Sequence, residues 1–429
     1  MRRGLPLTAL ILIICPAFAK GGELPWQVNP PIAKVTKTLW FQHPSDGVAI
    51  GARMNYVGPN LELMEYSWHV STFDQLYGMT TRLSTDNGKT WSDFQVTDPS
   101  TNIVYYAGDG GVNAVEVKGC DTYLYDTQAG VLVDTWLRVV GTSQTSYWRL
   151  SQDNGSTWST PQMLRYEAGD EFNPSHPKSS NYLTHNLGYF GNSIIKLSNG
   201  NILTPLGQTK SDDGSIMSSL CMIGTWNASN NDYQWTAGSP VTISPTLSSV
   251  GLVEPDAAEL KDKRVLVTWR GEPQARKYFS VSTDGGMTLS SPAELKYDDG
   301  TSFYSSASYH RLIRNSMTGK LYWIGNISAN DVPGTWPRYP LVIAEVDESG
   351  TPSLKKNTVT VIDDKQLGQT DSVQFSNFNV FEDRETHAFN LYLTAYGESG
   401  DSSTTFYNAN CYKYVVTVPE PTPLTDASE

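Results

Sequence analysis

Glu254 and Arg270 are the residues whose types and spacing point most directly to chemistry. Glu254 lies in Gly251-Leu252-Val253-Glu254-Pro255-Asp256, and Arg270 ends the run Val265-Leu266-Val267-Thr268-Trp269-Arg270, sixteen residues further on. The arginine falls on the strand that follows the glutamate. Such a pair can serve a substrate or close a plain strand-end salt bridge. A guanidinium presents a planar fork of donors matched to a carboxylate, so several arginines converging on one site suit an anionic ligand. Histidine offers a second chemistry. His69 lies in Tyr66-Ser67-Trp68-His69-Val70, and His185 in Leu183-Thr184-His185-Asn186-Leu187-Gly188-Tyr189. Tyr309-His310-Arg311 forms a third grouping. A histidine or tyrosine base beside arginines can remove the proton α to a uronate carboxylate, which is lyase chemistry. A lone histidine serves a structural role as readily.

These residues need a scaffold, and a repeated motif names it. Ser84-Thr85-Asp86-Asn87-Gly88-Lys89-Thr90-Trp91 recurs as Ser151-Gln152-Asp153-Asn154-Gly155-Ser156-Thr157-Trp158. A third copy, Ser282-Thr283-Asp284-Gly285-Gly286-Met287-Thr288-Leu289, has Leu for Trp. The pattern S-x-D-x-G-x-T-W predicts strand, tight turn, strand. The Asp accepts from backbone N–H groups across the turn, Gly supplies a positive φ, and Trp covers the hairpin. The copies start 67 and 131 residues apart, so the second interval spans two units and one unit lacks the motif. A unit of about 66 residues suits a four-stranded propeller blade with long loops. Residues 20–418 then form a six-bladed β-propeller of four-stranded antiparallel sheets, an all-β fold. Lys34 to His43 is expected to complete the last blade and close the ring. Asn199-Gly200 between alternating runs marks a hairpin in the third blade, the one without the motif.

The motif resembles the Asp box, or BNR repeat, of the sialidase (neuraminidase) superfamily. The resemblance implies that Asp86, Asp153 and Asp284 are structural, at the propeller rim and away from the active site. It also implies roles elsewhere. Glu254 and Arg270 match a glutamate followed by an arginine before the next box; in the family the glutamate works with a tyrosine nucleophile and the arginine binds the substrate carboxylate. Arg53 stands where the first carboxylate-binding arginine is expected, although Gly51-Ala52-Arg53-Met54 lacks the family's Arg-Ile-Pro. Asp74 stands where the acid/base aspartate is expected. The third arginine is one of Arg311, Arg314 and Arg338. At the expected tyrosine the chain reads Gln374-Phe375-Ser376, and Phe375 is no nucleophile. Tyr304 has a suitable Tyr-Ser context but comes too early in the order. The implied activity is that of a sialidase-like glycoside hydrolase on an acidic or decorated glycan. Two alternatives stay open: a polysaccharide lyase using His/Tyr and Arg on uronate glycans, with His185 as base and His69 near the ligand, and a glycan-binding propeller without catalysis. No cofactor is implied.

Composition narrows the partners. The formal net charge of −13 argues against nucleic acid and anionic membranes as partners. Arg2 and Arg3, the apolar Leu5 to Ile14 and Ala17-Phe18-Ala19 predict a signal peptide over residues 1–19, cleaved after Ala19, and hence a secreted or periplasmic protein. Cys120, Cys221 and Cys411 remain after cleavage, too few for a disulfide framework. The 12 Trp and 23 Tyr are expected mostly in the core, and residues 419–429 as a disordered tail.

Overall fold

The computed structural model describes residues 24–72, 75–98, 103–210, 217–332 and 334–419. Residues 1–23, 420–429 and Asp74 are among those outside the described residues. The strands form six antiparallel sheets taken in chain order. Ala49–Tyr56, Leu63–Thr72, Gln75–Ser84 and Gln95–Asp98 make the first blade, and Val253–Glu259, Val265–Arg270, Lys277–Ser282 and Ala293–Glu294 the fourth. The second, third and fifth add a short fifth strand to the same plan. The sixth takes Asn379–Glu382, Phe389–Thr394 and Cys411–Thr417 from the C-terminal end and Lys34–Phe41 from the N-terminal end. This pairing of first and last strands, from Lys34↔Thr417 to Phe41↔Cys411, closes the ring. Lys37 Nζ reaches Asp363 Oδ2 of blade five at 2.7 Å and ties the closing strand to its neighbour. Among the described residues no helix is long and apolar enough to cross a membrane.

The cores lie between blades, where the two faces of adjacent sheets meet. Trp269 and Tyr278 fill the space between blades three and four, Trp323 that between four and five, and Tyr322 and Tyr414 that between five and six. All five are buried, in line with the reading of most aromatics as core. Cys221 and Cys411 are buried free thiols in different blades; the side chain of Cys120 lies outside the described residues.

The three Asp boxes occupy one equivalent place, the hairpin between third and fourth strands of blades one, two and four. Their bonding repeats atom for atom. The Ser hydroxyl donates to the Asp carboxylate at 2.7–2.8 Å in Ser84–Asp86, Ser151–Asp153 and Ser282–Asp284. The Thr N–H and hydroxyl donate to the two oxygens of the same carboxylate, as at Thr157 with 2.7 Å each. Gly88, Gly155 and Gly286 each donate N–H to the box Ser at 2.8 Å, with positive φ throughout. A further pair accompanies the Trp. Arg82 and Arg149, two residues before the box Ser, lie over Trp91 and Trp158 at 4.8 and 4.1 Å and bond to buried Glu65 and Asp134 on the adjacent strand. In blade four, where Leu289 replaces Trp, Ser280 stands in the arginine's place. The stacked cation and its ring are present or absent together.

Two of the three missing boxes have local causes. In blade three the corresponding turn is the shorter Asn227–Asn231, where Asn227 Oδ1 accepts from Ser229 N–H at 3.0 Å. Ser211-Asp212-Asp213-Gly214 lies outside the described residues. In blade six the outermost strand comes from the N-terminus, so no third-to-fourth hairpin exists.

Hydrogen bonds from Thr90, led by its hydroxyl, hold the Asp86 carboxyl down at about 2, and those from Thr157 do the same for Asp153. In the unfolded chain an Asp titrates near about 3.9. The folded values are the lower ones, so these carboxylates contribute stability above the unfolded value and lose it as pH falls from about 4 to about 2. Asp153→Ala strips the acceptor from Thr157 and Ser151 and is expected to lower the melting temperature. Its deficit relative to wild type should shrink through that acid window. Thermal melts between neutral pH and pH 2 check both, and a deficit independent of pH contradicts the charge-based account.

Candidate functional site

Antiparallel geometry places the boxes and Glu254 at opposite ends of a blade. In blade four Val253 pairs with Arg270 at one end, and Val265 pairs with Ser282, the start of the box, at the other. The candidate chemistry therefore lies on the face away from the boxes.

Glu254 sits where the register slips between Val253 and Asp256, with φ +47°. A non-glycine residue with positive φ is uncommon and persists only where its surroundings impose it. Here Asn192 of the third blade supplies the constraint: its Nδ2 donates to the Glu254 carbonyl at 3.0 Å, and its N–H to the Pro255 carbonyl at 2.6 Å. Gly207 allows the approach, because a Cβ there would stand 2.7 Å from Pro255 Cδ. The side chain is directed to Arg270, whose Nε lies 3.1 Å from Glu254 Oε2. That contact is an ion pair without hydrogen-bond alignment; among the described residues Arg270 Nε and Glu254 Oε2 have no hydrogen-bond partner, and both are sequestered from solvent. Arg270 Nη1 donates to the Ala307 carbonyl at 2.6 Å.

Two cavities meet at Arg53, on the innermost strand of blade one. The first, of about 100 Å³, is bounded by Gly51 and Arg53, by Gln374 and Asn377 entering blade six, and by an aromatic wall that includes Trp68, Tyr392 and Tyr396. The second, of about 210 Å³, is lined by innermost strands of several blades and holds Arg53, Asn192, Arg311 and Arg384. Arg53 Nε is buried without a hydrogen-bond partner among the described residues, as is Gln374 Nε2. Arg338 Nη1 donates to Gln374 Oε1 at 3.1 Å. Asn192 thus links Glu254 to the cavity that Arg53 lines, and Arg338 is bonded to Gln374, which lines the first cavity with Arg53.

The other arginines divide by partner. Arg311 Nε lies 3.3 Å from Asp256 Oδ2, and the same oxygen accepts the Leu312 N–H. Burial pushes the Asp256 carboxyl up, against the pull of Arg311. Burial works against the Arg311 charge too, but Tyr309 and Asp256 outweigh it and raise its pKa. Arg314 is bound to Glu348 at 2.6 Å, at the far end of its strand.

The remaining candidates stand apart. His69 lies between Trp68 and Val70, which face the first cavity; strand alternation turns it away, and it stacks on Tyr77 with ring centroids 5.6 Å apart. His185 Nδ1 is engaged by the Asn181 carbonyl at 2.9 Å, within its own segment. Tyr304 carries the Arg276 guanidinium over its ring at 4.6 Å. None of the three lines either cavity, and neither do Glu254, Arg270 or Arg338, which reach the cavities only through Asn192 and Gln374. Phe375 is buried in the core between blades five and six, while its neighbour Gln374 faces the first cavity. An amide and an inward phenyl ring thus occupy the stretch in which the resemblance calls for tyrosine.

Sequence reasoning missed Lys277, Gln374 and Asn192. Lys277 is fully buried, pairs in register with Arg270, and donates to the carbonyls of Ser306 and Ser308 at 2.7 and 2.8 Å. Its signal was a basic residue at each foot of the short loop Gly271–Arg276, with the second foot opening the apolar Lys277-Tyr278-Phe279. His310 is buried as well: Nε2 lies 2.7 Å from Thr268 Oγ1. Burial, with Lys277, Arg270 and Arg311 in support, holds its pKa well below the usual imidazole range.

The architecture and the motif agree with comparisons to known proteins. The model of the BNR repeat-like domain family matches residues 113–353. No curated protein matches the sequence. Among solved structures, a protein of unknown function from Dyadobacter fermentans superposes with TM-score 0.58 at 13% identity, over 90% of this chain and 99% of that one. A point mutant of the NanB sialidase from Streptococcus pneumoniae gives 0.57 at 12%, over 88% and 70%. The intramolecular trans-sialidase from Ruminococcus gnavus, in complex with oseltamivir carboxylate, gives 0.56 at 11%, over 90% and 99%. At such identities the likeness is one of fold. With more than half of its length matched by that family model and six antiparallel blades carrying three Asp boxes, the chain belongs to the BNR repeat-like domain family and has the sialidase-like propeller fold.

Proposed function

We propose that this protein is a secreted sialidase-like glycoside hydrolase that binds an acidic glycan on the face opposite the Asp boxes. The observation that carries the reading is the Glu254–Arg270 pair, held in a strained bulge and linked through Asn192 to the cavity lined by Arg53. Arg53, Arg270 and Arg338 hold the anionic group; Arg311 is already committed to Asp256. Solved neighbours described as a sialidase and as a trans-sialidase in complex with oseltamivir carboxylate support an acidic sugar as substrate. Glu254 acts as the base. Gln374 and Phe375 offer no nucleophilic oxygen where the resemblance calls for tyrosine; in this reading Glu254 activates water directly and Asp74 protonates the leaving oxygen. Such a single displacement inverts the anomeric centre.

The phenylalanine at position 375 favours one second reading, glycan binding without turnover. Incubation with a panel of sialylated and uronate-containing glycans separates them. Released acidic sugar, appearing first as the inverted anomer by NMR, is the expected result. Binding without product establishes the second reading, and an unsaturated uronate product replaces both with lyase chemistry.

A further inference from the structure

The second cavity carries positive charge that the glycan site leaves unused. Arg53, Arg311 and Arg384 line it, and among the described residues no aspartate or glutamate does. Three blades bring the arginines together. Arg53 lies on Ala49–Tyr56 of blade one, Arg311 opens Arg311–Arg314 of blade five, and Arg384 follows Asn379–Glu382 of blade six. Only Arg311 has a carboxylate partner, Asp256. Arg384 Nη1 donates to the carbonyls of Gly58 and Asn60, and its guanidinium lies over the Tyr56 ring at 3.9 Å. The Arg53 side chain has no hydrogen-bond acceptor and no carboxylate partner among the described residues, and its Nε is buried.

Strand register separates this cavity from the Glu254–Arg270 pair. Tyr56 pairs with Leu63, and Leu63 with Ser84, the first residue of a box. Tyr125 pairs with Leu132, and Leu132 with Ser151, the first residue of the next box. Both tyrosines line the cavity. It therefore runs from Arg53 toward the box face, whereas Val253 and Arg270 pair at the opposite end of their blade.

A charge partly withdrawn from water without a counter-ion is costly, and two of these three guanidiniums have none within the protein. An anion from solution supplies it. The directions of approach select its shape. A carboxylate accepts along one edge, but the arginines come from three blades around the axis. A tetrahedral oxyanion offers acceptors on every side, so guanidinium forks can engage it from more than one direction. The volume of about 210 Å³ holds such an ion together with water. We propose that the axial cavity binds a tetrahedral oxyanion, as free phosphate or sulfate or as the sulfate ester of a glycan, at a site distinct from the one that takes the acidic sugar. Arg270 and Arg338 have no part in it, and the ion site stands or falls separately from the glycan site. The bound ion joins blades one, five and six across the axis.

Titration calorimetry of the full chain with sodium phosphate and sodium sulfate, in a chloride-free buffer, tests this. One ion per chain is expected, together with a melting temperature that rises with ion concentration, as for any ligand held only by the folded state. Arg53→Gln and Arg384→Gln should each weaken binding by about 10–100-fold, the loss of one bond to a charged group. Arg270→Lys should leave both ions bound as in wild type, in contrast to its expected effect on acidic sugars. Galactose 6-sulfate distinguishes the sources: binding like that of inorganic sulfate assigns the cavity to the ester as well, and its exclusion assigns the cavity to the free ion. Failure of both inorganic ions to bind wild type overturns the proposal. Binding lost in Arg270→Lys but kept in Arg384→Gln also overturns it, because the ion then sits at the glycan site. Binding unchanged in all three variants places the ion elsewhere on the protein and overturns it too. Arg384→Gln gives up two carbonyl bonds and can fail to fold; Arg53→Gln gives up none, so with the wild-type titration it keeps the test decisive.

Discussion

Glu254→Gln is expected to lower turnover of an acidic glycan by about 10²–10⁴-fold, the usual contribution of a positioned general base, while leaving affinity close to wild type. The amide has the shape of the carboxylate, and the constraints on this residue are on its backbone: the bulge at φ +47° and the bond from Asn192 to its carbonyl persist in the variant. Gln cannot take a proton from water. Binding should survive for an electrostatic reason too. The wild-type carboxylate sits 3.1 Å from Arg270 Nε and competes with the ligand for that guanidinium. Removing its charge frees the arginine, so affinity for an acidic sugar should hold or improve. Steady-state kinetics with calorimetric binding separates the cases. A fall in kcat with Kd preserved is the signature of a base. A variant with wild-type kcat and altered KM reduces Glu254 to a binding group, and unchanged kinetics removes it from the site.

The fold was legible in the sequence because its signal is periodic. Ser84, Ser151 and Ser282 start the same hairpin in three blades, and the doubled interval between the last two counted the blade that lacks it. The strand closing the ring was legible as a candidate strand near the N-terminus, Lys34 to His43, and it forms as Lys34–Phe41 paired with the last strand. The candidate site was only partly legible. Glu254 and Arg270 lie on adjacent strands, so their encounter is local and spacing could anticipate it. Gln374 and Phe375 show where spacing stops: the sequence says which residue is absent, but only the register of the segment entering blade six decides that the amide, not the ring, faces the cavity.

Contacts between blades were not legible at all. Asn192 holds the backbone of a residue 62 positions away, and Lys277 grips carbonyls 29 and 31 positions away. Nothing in the local pattern of either residue announces such a partner, because an amide or an amine bonding to a carbonyl constrains no side chain at the other end. His185 shows the converse. It falls next to the third blade by sequence, as a site residue would, but the short helical turn Ser180–Leu183 captures its ring through the Asn181 carbonyl.

Arg270→Lys is expected to weaken binding of an acidic sugar by about 10–100-fold despite the retained charge. Arg270 makes two contacts in different directions, Nη1 to the Ala307 carbonyl at 2.6 Å and Nε toward Glu254 at 3.1 Å, and still presents a donor fork. A lysine is a single point of charge on a flexible stem. It can reach the carbonyl or the carboxylate, and what remains for the ligand is no bidentate contact. Hydrogen bonds to charged groups contribute about 1.5–3 kcal/mol each, and loss of one gives the stated range. Arg270→Ala tests the structural share of the same residue. It leaves the mostly buried Glu254 carboxylate facing no cation on its own strand pair and releases the segment at Ala307, at a cost of about 3 kcal/mol, the lower end for breaking a buried pair. The two variants should therefore diverge: the lysine protein melts near wild type and binds poorly, whereas the alanine protein both melts lower and binds poorly. Calorimetry with N-acetylneuraminic acid and D-glucuronic acid, alongside thermal melts, reads both quantities. If Arg270→Lys binds either acid as tightly as wild type, Arg270 contributes no fork to the ligand, and the anion is held elsewhere or not at all.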